Sequence, residues 1–190
     1  RYAKAMTSEE VEASAAYYAA IPWTRHVRVV ESRTGPKVRN LNGLLLAREG
    51  EDAGVEPLGS RILEVTEDGE RTELRDPHSG FIAYAPVGSL AKGKALVTTG
   101  GRGRTVACAV CHGTDLNGIG PVPGIAGRSP SYIARQLNDL RQGVRRGPMA
   151  SLMTQAVQQL TDEDILNISA YVAAQPPPTT APAPAGGGRR

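Results

Sequence analysis

Both cysteines of this 190-residue chain lie in one short stretch, Cys108-Ala-Val-Cys111-His112, with one of its three histidines. This spacing is the attachment signature of c-type haem. Two thiols about one helical turn apart can each add to a vinyl group of the porphyrin, and a histidine directly after the second thiol lies under the iron. The sequence therefore predicts one covalently bound haem c, held by Cys108, Cys111 and His112.

Two other uses of the cysteine pair fit the sequence less well. A structural zinc site needs four ligands, and outside this stretch only His26 and His78 remain, with no second pair of cysteines. A thioredoxin-like dithiol would be expected within a βαβ unit, whereas this pair lies between a helical segment and a glycine-rich loop.

The segment around the cysteines is short of large side chains. Between Gly88 and Gln175 the only aromatic residues are Tyr132 and Tyr171. Because aromatic rings normally supply much of the bulk of a core, a compact domain built from this segment needs another source of apolar volume. A porphyrin would provide it.

Charge and hydropathy exclude several other classes. The net charge of +3 is small and its basic residues are scattered, so nucleic-acid binding is not predicted. The longest strongly apolar run, 44–47, is far too short to span a bilayer. No apolar signal core follows Arg1, so we expect either that a signal was removed or that the chain begins inside a longer protein.

A haem iron bound by His112 has a sixth position, for which the usual electron-transfer ligand is methionine. Met153 and Met149 both precede the last predicted helix, and Met6 lies far upstream, where it is expected to be structural. We favour Met153, with Met149 second and an open or non-methionine site third. The metal ligands predicted are thus His112 and Met153.

Other side chains are candidates for contacts around the haem. The second ring nitrogen of His112 should donate to a backbone carbonyl, for which Pro121 and Pro123 are candidates. The haem propionates need hydrogen-bond donors. The candidates for that role are Tyr132, Arg135, Gln136, Arg141, Arg145 and Arg146.

Segments of different character divide the chain. Capping residues and apolar spacing predict helices near 89–98, 131–142, 149–158 and 162–174. Residues 24–87 form a β-prone connector with turn sequences that suggest hairpins. Residues 176–190 are rich in proline, alanine and glycine and read as a disordered tail.

One segment occurs twice. MTSEEVEASAAYYAAIPW at 6–23 matches LTDEDILNISAYVAAQPP at 160–177, with seven identical pairs at an offset of 154. If the repeat is real, residues 1–23 are the closing helix of an upstream domain. Chance similarity between two alanine-rich helices is the alternative.

Residues 88–175 resemble the class I cytochromes c, in particular the tandem-domain bacterial cytochrome c4 and c553 proteins. The resemblance rests on "GSLAKGKALV", "CAVCHG", "GPVPGIAGRSPSYIARQLNDLRQGVRRGPM" and "LMTQAVQQLTDEDILNISAYVA". It implies a mainly α fold, preceded here by the β-rich connector and the N-terminal helix, in which the first and last helices of the haem domain cross at Gly93 and Tyr171. It also implies that Met153 ligates the iron, that Pro123 provides the carbonyl for the histidine, and that Tyr132 and Gln136 lie beside the haem.

The chain departs from the tandem pattern, because no CxxCH precedes residue 24, and we expect one haem rather than two. The predicted function is periplasmic, respiratory one-electron transfer rather than enzymatic catalysis. Its partners would be redox proteins, namely a dehydrogenase, a cytochrome complex or a terminal oxidase, with no nucleic acid and no membrane span. The alternatives are an electron-accepting subunit docked on a dehydrogenase and a haem enzyme or sensor with an open sixth site.

Overall fold

The computed structural model describes residues 2–178 and is mainly helical. Residues 179–190, which make up most of the proposed tail, lie outside the described part. The helices are α1 (Tyr2–Ala5), α2 (Ser8–Ala20), α3 (Gly69–Glu73), α4 (Ser89–Thr99), α5 (Cys108–His112), α6 (Pro130–Arg141), α7 (Ala150–Val157) and α8 (Asp162–Ala174), with a 3₁₀ turn at Gly50–Asp52. The bounds of α4 and α6–α8 agree with the sequence predictions to within a residue.

The strands all lie between α2 and α4. They are β1 (Val27–Glu31), β2 (Thr34–Pro36), β3 (Val38–Leu41), β4 (Leu44–Ala47), β5 (Val55–Pro57), β6 (Leu63–Thr66) and β7 (Phe81–Ala85). The main sheet has the order β1-β7-β6, with β1 parallel and β6 antiparallel to β7. Two small antiparallel pairs, β2–β5 and β3–β4, complete the connector.

The connector is therefore more than a row of hairpins. Only β3 and β4 are joined by a tight turn, in which Asn42 and Gly43 both have positive φ, as such turns require. The parallel pair brings Val27 opposite Phe81, a pairing between distant positions that local turn signals do not reveal. Its inward residues Val27, Ala83 and Ala85 are buried.

Helices α4 and α8 cross at a glycine. A Cβ atom at Gly93 would lie 2.1 Å from the carbonyl oxygen of Asn167 and 2.6 Å from the Cβ of Tyr171. The close approach buries Leu96 and Val97 of α4 in the main hydrophobic cluster, with α6 packed on the other side of α8. The helix crossing implied by the sequence resemblance is present.

Helix α2 has a different environment from α8, although the two share sequence and capping. Thr7 and Glu10 form a capping box at α2, as Thr161 and Asp164 do at α8. No residue of α2 is buried, whereas most of α8 is. Within residues 2–178, no helix combines the length and the hydropathy needed to cross a bilayer.

The connector packs directly on the helical domain. Glu31 accepts a hydrogen bond from the backbone nitrogen of Leu90, at the start of α4, at 2.8 Å. The guanidinium group of Arg25 donates to the carbonyl oxygen of Ala174, at the end of α8, at 2.7 Å. Strand β1 also lies along α8. The two parts of the chain are thus held together by several independent contacts.

Candidate cofactor site

The cysteine helix α5 is positioned by the loop that precedes it. Gly100 directly follows α4, and its φ of 71° permits the sharp turn at the end of the helix. The backbone nitrogen of Thr105 donates to the carbonyl oxygen of Gly100 at 3.1 Å. The hydroxyl of Thr105 donates to the carbonyl oxygen of Ala156 in α7 at 2.5 Å. Arg104 pairs with the buried carboxylate of Asp164 in α8 at 2.7 Å. The loop is therefore fixed to α4, α7 and α8 before α5 begins.

Neither cysteine forms a disulfide; Cys108 is partly buried and Cys111 is exposed. Burial raises the pKa of the Cys108 thiol to about 11. A raised pKa lowers the thiolate fraction of this thiol, which disfavours disulfide exchange. Among residues 2–178 there is also no group of three or more His, Cys, Asp or Glu residues arranged to hold a metal ion. These observations disfavour the zinc and dithiol alternatives.

The imidazole of His112 is oriented by a backbone carbonyl. His112 is only 7% exposed, and its Nδ1 lies 2.8 Å from the carbonyl oxygen of Pro123. A carbonyl can only accept, so Nδ1 carries the proton and donates it, and Nε2 has a free lone pair for an iron ion. The loop residues alone offered both Pro121 and Pro123, and the family resemblance implied Pro123; in the structure it is Pro123 that lies at the ring. In addition, Gly118 donates to the His112 carbonyl at 2.8 Å.

The two candidate methionines differ in their surroundings. Met153 is partly buried on α7 and packs against the main hydrophobic cluster, as do Cys108 and Ile125. Met149 is 58% exposed and lies at the N-cap position of α7. The thioether of Met153 thus borders the same apolar cluster as the first thiol, whereas Met149 does not.

Of the side chains predicted to bind the propionates, one is held by contacts with the start of α8, and the others contact residues of α6 and the loop that follows it. Arg141 is engaged in structural contacts, since it donates to the Leu160 carbonyl at 2.7 Å and pairs with Asp162 at 2.6 Å. On α6, the Arg135 guanidinium lies 5.9 Å from the centre of the Tyr132 ring. Arg145 donates to Gln136 at 2.6 Å. In the loop between α6 and α7, Arg146 donates to the Gly143 carbonyl at 3.2 Å. The remaining histidines, His26 and His78, both lie in the connector.

The donor set fits a haem. One short helix carries two free thiols and an imidazole whose Nε2 is available to iron, and the Met153 side chain packs on the same apolar cluster as Cys108. Large apolar side chains on the surrounding elements are also exposed, including Val110 at 69% and Leu152 at 60%. A large planar apolar group would shield side chains of this kind from water.

Some residues that shape the site are not apparent from the sequence. Arg104, Thr105 and Asp164 hold the loop before α5, and Glu64 of the connector contacts the start of α6. A polar loop residue beside two glycines carries no recognisable signal, and the partner of Glu64 lies 65 positions away. Only the folded arrangement reveals these contacts.

Residues 90–176 match the cytochrome c family. The cytochrome c-554(548) of Halomonas halodenitrificans is 44% identical over 69 residues, which are 36% of this chain and 83% of that protein. The cytochrome c4 of Thiocapsa roseopersicina is 41% identical over 70 residues, 36% of this chain but only 34% of the relative. The cytochrome subunit of sulfide dehydrogenase of Chlorobaculum tepidum is 36% identical over 90 residues, 46% of this chain and 79% of that protein.

The match covers most of the length of the first and third of these proteins. The segment that matches the family, 90–176, contains the cysteine helix and its histidine. The match to the cytochrome c4 spans about a third of that relative. The chain belongs to the cytochrome c family, and it is an electron carrier of the c4 type that binds haem c.

Proposed function

We propose that this protein carries single electrons in the periplasm through one haem c, whose iron His112 and Met153 would bind. When bound, haem supplies a one-electron iron couple. The observation that best supports the ligand pair is the hydrogen bond from His112 to Pro123, which frees Nε2, together with the position of Met153 on the same apolar cluster as Cys108. Periplasmic location follows the resemblance to exported cytochromes.

In this proposal each residue of the site has a distinct task. Cys108 and Cys111 would hold the haem as thioethers: each thiol would add its sulfur to one carbon of a vinyl group and its hydrogen to the other, with no change of oxidation state. Pro123 fixes the orientation of the imidazole. Tyr132, Arg135 and Gln136, all on α6, offer polar groups for the propionates. Met153 completes the coordination sphere, which removes an open site for substrate chemistry.

The proposal of a single haem rests on the one CxxCH sequence in 190 residues. A preparation of the exported protein would be tested by the pyridine haemochrome spectrum together with iron and protein determinations. One haem per chain, with the spectrum of two thioether links, is the expected result. A colourless, iron-free product from a host that matures c-type cytochromes would refute the proposal.

We propose that the chain consists of four segments. Residues 88–175 are the haem domain, 24–87 the connector, and 176–190 a disordered tail. Residues 1–23 are the closing helix of an upstream cytochrome-like domain. The last assignment is supported by the repeat with α8 and by the lack of any buried residue in α2, since a 13-residue helix that buries no side chain is marginal in water. Its partner would be a helix like α4, with a small residue at the crossing.

A second role is favoured by one relative. The Chlorobaculum tepidum protein is the cytochrome subunit of a sulfide dehydrogenase and matches this chain over 79% of its own length. We propose that the present protein can likewise accept electrons from a dehydrogenase. Stopped-flow reduction of the haem by a candidate dehydrogenase, compared with reduction by a small-molecule reductant, tests this role. No faster reduction by any dehydrogenase of its host would contradict it.

A further inference from the structure

The connector holds the first turn of α6 through a single carboxylate. Glu64, on β6, accepts three hydrogen bonds at its Oε2 atom. The hydroxyl of Ser129 donates at 2.9 Å, the hydroxyl of Ser131 at 2.6 Å and the backbone nitrogen of Ser131 at 3.3 Å. Hydrogen bonds to a charged acceptor are stronger than those between neutral groups. This is the densest polar contact between the connector and the helical domain.

The same contact fixes the cap of α6. Ser129 is the N-cap residue, and its hydroxyl oxygen accepts from the backbone nitrogen of Tyr132 at 3.3 Å. A hydroxyl has one proton, and that of Ser129 is directed to Glu64, so the carboxylate sets the rotamer in which the serine can cap the helix. Glu64 thus supports the cap at the start of α6.

Helix α6 carries side chains assigned above to the haem site. Tyr132 comes directly after Ser131, which donates to Glu64. The guanidinium group of Arg135 lies over the Tyr132 ring, and the side-chain oxygen of Gln136 accepts from Arg145. Ser129 also ends the loop that contains Pro123, the partner of His112. A change in the start of α6 would therefore reach both the propionate side of the site and the loop that orients the iron ligand.

We propose that Glu64 is a positioning residue for the haem site, through which the connector holds α6 and the end of the Pro123 loop in place. The inference rests on the proposed function, because it takes α6 to border the haem. It gives the connector a role inside this chain, distinct from any role in binding a partner protein.

Two substitutions of Glu64 distinguish an effect of its hydrogen bonds on the haem site from an effect of its negative charge. Glu64→Gln removes the charge but keeps an oxygen that can accept from both serines, whereas Glu64→Ala removes both. Positioning predicts a shifted midpoint potential in Glu64→Ala and a value close to wild type in Glu64→Gln. Equal shifts in the two variants would show a simple charge effect and overturn the proposal, as would no shift in either.

A control for general loosening of the connector is Glu31→Ala. This variant also loses a connector carboxylate that binds a helix N-terminus, but its partner is Leu90 of α4. It should leave the potential unchanged while Glu64→Ala shifts it. If Glu31→Ala produces the same shift, the effect does not pass through α6 and the inference fails.

Hydrogen exchange provides a readout independent of the haem. In Glu64→Ala the backbone amides of Ser131 and Tyr132 should exchange about tenfold faster or more, the effect expected from losing a hydrogen bond to a charged group. If Glu64→Ala does not fold, Ser131→Ala removes one of the three donors and should shift the potential in the same direction. If the wild-type protein binds no haem, the proposed function is refuted. If it binds haem but the Glu64 variants have the midpoint potential and amide exchange of wild type, only the role of Glu64 is refuted.

Discussion

The carbonyl oxygen of Asn167 lies where a side chain at Gly93 would have to begin: a Cβ built on that glycine is 2.1 Å from it. No rotamer change can relieve this contact, because both groups belong to the backbone. Helices α4 and α8 can therefore cross at this distance only with glycine at position 93. The crossing in turn buries Leu96 and Val97 in the cluster that borders the cofactor site.

Gly93→Ala should consequently destabilise the haem domain by about 3 kcal/mol, at the upper end of the range for overpacked cores. The measurement is denaturant unfolding of the haem-loaded protein. Gly147→Ala is a suitable control, since a Cβ there meets no heavy atom within 4 Å. Similar stability of the two variants would show that the helices can separate without cost.

Met153→Ala should abolish the methionine–ferric charge-transfer band and lower the midpoint potential substantially, because a thioether ligand favours the reduced iron. Met149→Ala, at the more exposed methionine, should leave both unchanged. Visible spectroscopy and a redox titration of the two variants provide the measurement. If the band is lost only in Met149→Ala, the ligand assignment is wrong.

The double variant Cys108→Ser, Cys111→Ser should fail to reach a native haem domain. Only two aromatic residues lie between 88 and 175, so the core there depends on the bulk of the porphyrin. Circular dichroism should show no cooperative thermal transition assignable to these helices. A cooperative, haem-free transition at the temperature of the wild-type protein would contradict this explanation.

An exposed ion pair between α4 and α8 should make a small, pH-dependent contribution to stability. The hydrogen bond from Lys92, at 2.6 Å, and its charge hold the pKa of Glu163 below the ordinary value of 4.5. Since the pKa is lowered in the folded state, the contribution is present above the unfolded pKa and is lost as pH falls through the folded pKa. Lys92→Met should therefore melt slightly below wild type at neutral pH, and the difference should vanish once the pH has fallen below the folded-state pKa of Glu163. A difference that grows towards acid pH would have the wrong sign.

The unpacked state of α2 gives a prediction for hydrogen exchange. In the 190-residue chain, backbone amides of α2 should exchange close to the rate of an isolated helix, while those of α8 are protected. This difference is expected although the segments that contain the two helices, 6–23 and 160–177, share seven identical positions. Strong protection of α2 in the monomeric chain would show that it already has a partner. It would then argue against a missing partner helix.

The sequence predicted those features that depend on neighbouring residues. Helix α8 begins at Thr161 because its capping box is local, and the cysteine helix follows from its own spacing. Local sequence does not distinguish Pro123 from Pro121 as the partner of His112, because the choice depends on how the loop folds back; only the family resemblance implied Pro123. Likewise, the parallel pairing of Val27 with Phe81 joins residues 54 positions apart and has no turn signal.

The parallel pairing of β1 and β7 also sets the reach of the connector. The chain enters this ribbon at Val27 and leaves it at Ala85, so entry and exit are separated by little more than one strand length, on the order of 15 Å. An unfolded segment of the same contour could extend to roughly 200 Å. The connector thus adds about sixty residues while acting as a short tether, so the upstream domain proposed to pack on α2 would be kept at high effective concentration beside the haem domain.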